Sequence, residues 1–341
     1  MLNENSIDEL KRSLRGKLIQ PGDADYEETR KVYNGMIHKK PRLIARCADV
    51  ADVVSSVNFA RKNDLLVSIR CGGHNAGGLG ICDDGMVIDL AAIKYTRVDP
   101  VARTVTVGGG CVWGDVDHAT HAFGLATPSG IISTTGVGGL TLGGGVGYLT
   151  RKCGLSIDNL LSADVILANG EFVKASADEN PDLFWALRGG GGNFGVVTSF
   201  TFKLHPIDTL YAGPMLYELT ETADVMKWYR DLIPSAPDDL NGFFAFLTVP
   251  PAPPFVLRIV SKTQLLARAH CGPHRSNSLL AVSRCRWCAQ DRVHRGSAQP
   301  WECWRARSAT EKARRRRTPI PGFAKTAASV GRSLAWSTPW Y

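Results

Sequence analysis

An imidazole set among glycines is where this sequence offers chemistry. Residues 70–80 read RCGGHNAGGLG, and five of the eleven are glycines around one histidine, His74. Residues 133–149, STTGVGGLTLGGGVGYL, form a second glycine-rich stretch that opens with Thr134 and Thr135. Glycine lacks the Cβ that holds ligands away from the backbone, so successive N–H groups can close around an anion. Tight turns alone explain one such loop equally well, but two in one region favour a bulky phosphorylated cofactor. Neither stretch spells G-x-G-x-x-G, and no Walker lysine–hydroxyl pair is present, which disfavours simple NAD or ATP binding. His118 and His121 lie at i and i+3. No further ligands converge on them in the sequence, and no metal is assigned.

These loops need elements to hold them. Val50, Val53, Val54 and Val57 recur at helical spacing behind a capping Asp49, which predicts an amphipathic helix. LLVSIR follows as a short buried strand that delivers the chain into the first glycine loop, and GMVIDL and ARTVTVGG read as further strands. VWGDVDHATHAFG predicts a helix ended by Gly124. Asn169-Gly170 marks the turn of a β-hairpin over residues 162–176. ENPDLFWALRG predicts a helix with Asn180 as cap and Pro181 at its first position, and GVVTSFTFKL predicts a strand of period-two alternation. Residues 1–35 read as a polar helical lead-in. From 208 a new unit begins, strand-like in LYAGPMLYEL and helical in ADVMKWYRDLI.

Composition sets the outer limits. A length of 341 residues with 44% hydrophobic content suggests two domains with real cores. No apolar run reaches the roughly 18 residues of a membrane span, and the N-terminus lacks the pattern of a secretory signal. Nine scattered cysteines are no disulfide framework, and a reducing cytoplasm is the expected location. The net charge of +8 hides two compositions: residues 258–341 hold 17 basic and 3 acidic residues, whereas residues 1–257 hold 23 and 29. The boundaries read as a lead-in at 1–37, a cofactor domain at 38–207, the start of a second domain at 208–257 and an atypical basic tail at 258–341.

RCGGHNAGGLG resembles the R-x-G-G-H-[ND] loop of flavin-linked oxidases of the berberine-bridge-enzyme type. Their FAD-binding domain is shared with p-cresol methylhydroxylase and vanillyl-alcohol oxidase. The resemblance continues in order through GGGCVWGDVDHATHAFGLATPSG, TTGVGGLTLGGGVGYLTRKCGLSIDNLLSADVILANG and NPDLFWALRGGGGNFGVVTSFTFKLHP, covering roughly residues 38 to 207. It implies an α+β fold: a two-subdomain FAD-binding domain of the p-cresol methylhydroxylase type, followed by an incomplete antiparallel α+β substrate domain. It also implies FAD bonded through a ring nitrogen of His74 to the flavin 8α-methyl carbon. Some relatives add a second link from a cysteine, but Ile132 stands at that position here, so one bond is expected. Arg70, Gly72, Gly73, Asn75 and Gly78 are expected along the pyrophosphate, with Cys71 also among the cofactor-binding residues. Thr134, Thr135, Gly138, Gly139, Gly143 and Gly144 are expected to line the second loop. Cys153 is expected as a small residue near the cofactor, Asp158 and Asn159 close to the flavin, and Val197 as a backbone contact.

The reaction that the resemblance implies is hydride transfer from a small alcohol or amine to FAD, with O₂ as the acceptor. Relatives usually take the catalytic base from a tyrosine of the C-terminal domain near an N-Y pair. This chain has no N-Y pair and no tyrosine between Tyr229 and Tyr341, so the base is unassigned. Three readings compete for residues 258–341. They are a shifted reading frame, a disordered basic appendage around Arg314–Arg317, or a zinc module built on Cys271, His274, Cys285 and Cys288. A working oxidase and a catalytically inactive flavin-binding remnant are both open. Nucleic acid is not an expected partner, and the sequence leaves the oligomeric state undetermined.

Overall fold

The structure is a computed structural model that describes residues 3–207, 210–247 and 263–271. The chain divides between residues 208 and 209 into two compact units.

The first unit starts with α1 (Glu4–Ser13), whose cap Asn3 accepts a hydrogen bond from the Asn5 N–H. β1 (Lys17–Ile19) and α2 (Tyr26–Thr29) follow, then β2 (Leu43–Arg46), α3 (Val50–Lys62), β3 (Val67–Arg70) and β4 (Met86–Asp89). The four strands form one sheet in the order β1-β2-β4-β3. β2 and β3 run parallel to β4, while β1 is antiparallel to β2. α3 provides the crossover from β2 to β3, as parallel strands require. Asp49 caps it as expected, accepting from the Asp52 N–H at 3.1 Å. Val53, Val57 and Ala60 of α3 are buried with Ile7 and Leu10 of α1 against this sheet. The lead-in is thus only partly helical, because Leu18 and Ile19 bury more apolar surface as strand residues than a polar helix would.

The same unit holds an antiparallel sheet made of β5 (Thr96–Asp99), β6 (Thr104–Gly108), β8 (Leu160–Ile166), β9 (Phe172–Ser176) and β10 (Val196–Lys203). Their order is β5-β6-β10-β8-β9. Between β6 and β8 lie α4 (Trp113–His121), β7 (Leu125–Ala126), α5 (Val137–Leu142) and α6 (Thr150–Cys153). α7 (Pro181–Leu187) connects β9 to β10, and β11 (His205–Pro206) pairs with β7. Trp113, Phe200, Phe202 and Leu187 are fully buried at the centre of this layer.

Four local expectations change. β10 does not alternate, since it is the middle strand and Val196 through Phe200 are all buried. α4 stops at His121 rather than running to Gly124, which instead turns the chain with φ +63°. Asn180 precedes α7 but does not cap it. Its φ is +51°, and its side-chain amide donates to the Lys174 carbonyl at 2.7 Å, tying α7 to β9. The second glycine stretch is not all loop, because α5 begins inside it at Val137.

The second unit contains β12 (Leu210–Glu218), α8 (Thr222–Leu232), β13 (Leu240–Leu247) and β14 (Thr263–Cys271). The strands form an antiparallel sheet in the order β12-β14-β13. β14 lies within the stretch whose composition marks the tail. The other zinc-module residues, the arginine run and Tyr341 lie outside the described residues.

Candidate functional site

The first glycine loop leaves β3 at Arg70. Arg70 and Asp89 are register partners at the ends of parallel strands, and Arg70 Nη2 meets Asp89 Oδ2 at 2.6 Å. Asp89 also accepts from the Ala91 N–H at 3.1 Å and from Arg46 Nε at 3.4 Å. Arg70 Nη1 donates to the Thr29 carbonyl. The guanidinium is therefore buried at the root of the loop rather than directed at a pyrophosphate.

Beyond Arg70 the two glycine stretches touch. A Cβ built on Gly72 would clash with the backbone nitrogen of Gly136, and one on Gly136 would stand 2.6 Å from Cys71 Sγ. Only two glycines allow this approach. The second stretch is pinned in turn to the start of α4. Trp113 N–H donates to the Thr135 carbonyl at 3.0 Å, Gly114 N–H to Ser133 at 2.8 Å, and Val137 N–H to Cys111 at 2.9 Å. Cys71 points into this junction, with Sγ 3.3 Å from the Cys111 carbonyl, and burial pushes its thiol up to about 11. It is an unreactive packing group here.

His74 bridges the two stretches. Its Nε2 is hydrogen-bonded to Thr134 Oγ1 at 3.0 Å and its Nδ1 to Thr135 Oγ1 at 3.4 Å. The Tyr33 ring stacks on the imidazole with centroids 4.0 Å apart and planes 18° from parallel. Burial moves the His74 pKa below 6.5, so the ring is neutral at neutral pH and one nitrogen carries a lone pair. Among the described residues, the backbone N–H groups of Gly73, His74, Asn75, Ala76 and Gly77 have no protein acceptor. Five successive donors beside a neutral imidazole suit a phosphate-bearing ligand with a ring system to reach. A flavin dinucleotide fits that description.

The other expected residues lie in four places. Asn75 shapes the loop: its Oδ1 accepts from the Leu79 N–H at 3.0 Å and its carbonyl from the Gly78 N–H at 3.1 Å, while Gly78 lies buried under Ile37. Gly138 and Gly139 stand in the first turn of α5. Gly138 packs on Phe200, whereas a Cβ at Gly139 would meet nothing within 4 Å. Gly143 caps the end of α5, and Gly144 continues the chain at φ +110°. Cys153 and Asp158 gather around Asn159 instead. Asn159 Nδ2 donates to the carbonyls of Cys153 at 2.9 Å and Leu155 at 2.8 Å, and Asp158 accepts from the Leu155 N–H at 2.8 Å. Val197 is buried in β10, its carbonyl facing Gly109 closely enough that a Cβ there would come within 2.6 Å. Ile132, at the position where relatives carry a second attachment cysteine, is 43% exposed on the loop leading to Thr134.

Three residues of the site were not singled out from the sequence. Gly136 was one glycine among many, and only the spatial meeting with Gly72 distinguishes it. Tyr33 sits in a polar stretch without periodicity, so nothing in its neighbourhood signalled a contact with residue 74. His205 closes the Asn159 cluster, with Nε2 2.6 Å from Asn159 Oδ1.

The FAD binding domain family matches residues 41–176. An FAD-linked oxidoreductase of Dictyostelium discoideum is 36% identical over 259 residues, covering 76% of this chain and 57% of that protein. The (R)-6-hydroxynicotine oxidase of Paenarthrobacter nicotinovorans is 40% identical over 195 residues, 57% of this chain and 43% of the relative. Among solved structures, 6-hydroxy-D-nicotine oxidase from Arthrobacter nicotinovorans superposes with TM-score 0.70 at 32% identity, covering 80% of this chain and 59% of that one. A berberine-bridge-enzyme-like protein of Physcomitrella patens gives TM-score 0.70 at 26% identity, over 80% and 58%. The chain spans about half the length of the curated relatives it matches.

Proposed function

This chain belongs to the FAD-linked oxidoreductases of the berberine-bridge-enzyme-like family, and on that footing we propose that it binds FAD covalently through His74 and acts as an oxidase of a small alcohol or amine. The observation that carries the proposal is the placement of a neutral His74 between two glycine stretches, beside five backbone donors. FAD, when bound, would supply the hydride acceptor, with O₂ as the proposed final electron acceptor.

The chain's own residues would do the holding. The N–H groups of residues 73–77 would donate to the pyrophosphate, the threonine hydroxyls hold the imidazole, and the Gly72–Gly136 contact keeps the two loops at a fixed separation. Arg70 and Asp89 anchor the loop from below. With Ile132 in place of a cysteine, His74 makes the one covalent link. Cys47, Cys71, Cys82 and Cys111 carry free thiols, which supports a cytoplasmic location. No helix among the described residues is long and apolar enough to cross a membrane.

A second reading is a catalytically inactive flavin-binding remnant. It is favoured by the lack of an N-Y pair and of a tyrosine between Tyr229 and Tyr341 in this sequence. Acid precipitation of the purified chain tests the cofactor assignment. Flavin fluorescence retained in the pellet, and lost in His74→Ala, is the expected result; flavin in the supernatant overturns the covalent link. Substrate-dependent H₂O₂ release from a panel of alcohols and amines separates the oxidase from the remnant.

A further inference from the structure

The segment before the FAD binding domain match runs along the whole first glycine loop. Tyr33 N–H donates to the Gly73 carbonyl at 3.0 Å, and Asn34 Nδ2 donates to the Ala76 carbonyl at 2.8 Å. Lys39 Nζ reaches the carbonyls of Gly78 at 3.0 Å and Ile81 at 3.2 Å, and Ile37 covers Gly78. Residues 33–39 therefore take up loop carbonyls at four points and leave the N–H groups of residues 73–77 unengaged. This segment also brings the Tyr33 ring onto His74.

We infer that Tyr33 is a positioning residue for covalent flavin attachment, its ring fixing the plane of the His74 imidazole so that a nitrogen edge faces the flavin methyl group. The inference rests on the covalent reading of His74. The stack covers one face of the imidazole, and Thr134 and Thr135 hold its two nitrogens, so rotation about either side-chain bond is blocked from two sides. A threonine hydroxyl both donates and accepts, so one threonine takes the ring N–H while the other donates to the lone pair, a contact that must yield when that nitrogen bonds to carbon. Tyr33 is 66% exposed, which makes it a poor candidate for a core residue. Its hydroxyl has no partner among the described residues, so the ring rather than the hydroxyl carries the role.

The attachment step balances. One C–H bond of the methyl group and the imidazole N–H break, and one C–N bond forms. Dioxygen takes the two electrons and two protons as H₂O₂. The protein's contribution is orientation: a reacting nitrogen held in line gains from proximity what a freely rotating ring loses.

The test uses the full chain, produced with limiting riboflavin and then mixed with FAD. Total flavin retained after desalting and flavin retained by the acid-precipitated protein are followed over time. Tyr33→Leu is expected to retain FAD while forming acid-stable flavin at least tenfold more slowly. Tyr33→Phe is expected to match the unaltered chain. Attachment at the unaltered rate in Tyr33→Leu overturns the inference, as does a Tyr33→Phe variant as slow as Tyr33→Leu. If Tyr33→Leu retains no flavin at all, Tyr33→Phe and Tyr33→Trp decide: normal attachment in both supports the role of the ring, and loss in either while FAD stays bound overturns it. Absence of acid-stable flavin in the unaltered chain, or its persistence in His74→Ala, instead refutes the covalent reading itself.

Discussion

Arg70 and Asp89 end neighbouring parallel strands in register, and their side chains close a 2.6 Å ion pair that is almost wholly buried. Removing one partner of such a pair leaves the other as an uncompensated buried charge, at a cost of about 3–5 kcal/mol. Asp89→Asn is therefore expected to lower the urea midpoint of the first unit sharply, read from the fluorescence of buried Trp113. A midpoint within error of the unaltered chain would show that the Arg70 hydrogen bond to the Thr29 carbonyl suffices to hold the loop root.

The Gly72–Gly136 contact predicts a contrast between two glycines of the same stretch. Gly136→Ala forces a methyl group into the first loop, with an expected cost of about 1–3 kcal/mol and at least a tenfold loss of FAD affinity. Gly139→Ala, whose Cβ meets no protein atom within 4 Å in the first turn of α5, is expected to keep the fold, so that any loss of affinity there reports a contact with the cofactor itself. It should gain stability of about 0.5–1 kcal/mol. Titration of the two variants with FAD, followed by quenching of flavin fluorescence, checks both.

The lowered pKa of His74 fixes a pH dependence. Burial favours the neutral ring, so the fold gains most above pH 6.5, and that contribution is lost as pH falls and the unfolded chain takes up the proton. On the proposed covalent link, the neutral ring is also the form that bonds to the flavin. The rate of acid-stable flavin formation is expected to level off in the alkaline range and to fall in acid. A rate that rises through pH 8 would indicate a different titrating group.

His205 and Asn159 make a separate prediction. Both Asn159 amide protons are donated to carbonyls, so Oδ1 accepts, and His205 Nε2 must carry the proton. Burial, with Lys203 and Lys152 nearby, lowers the His205 pKa and keeps it neutral. Nitrogen NMR should show the Nε2–H tautomer at pH 7. Asn159→Ala strands two carbonyls and the histidine, and should cost about 1–3 kcal/mol.

Much of this site was legible in the sequence because the information is local. Asp49 before a valine stripe, Asn169-Gly170 between strands and glycines around His74 each state their structure within a dozen residues. The contacts that complete the site are not local. Gly72 meets Gly136, and Tyr33 meets His74, through tertiary packing that no periodicity encodes. Asn180 shows the opposite failure: its type and position before Pro181 fit a cap, but a φ of +51° and the nearby Lys174 carbonyl redirect the amide. For Arg70, residue type suggested an anion partner, and register with Asp89 provided a carboxylate first.

The strap over residues 33–39 bears on how the protein matures. Synthesis runs from the N-terminus, so Tyr33 leaves the ribosome before His74, and about a hundred residues before Thr134 and Thr135. Its partners do not yet exist when it emerges. The histidine can be clamped on both sides only after the second glycine stretch has been made and docked against α4. On the proposed covalent link, flavin capture is thereby tied to completion of the domain, and a nascent chain halted before residue 133 would carry His74 without the surroundings that orient it.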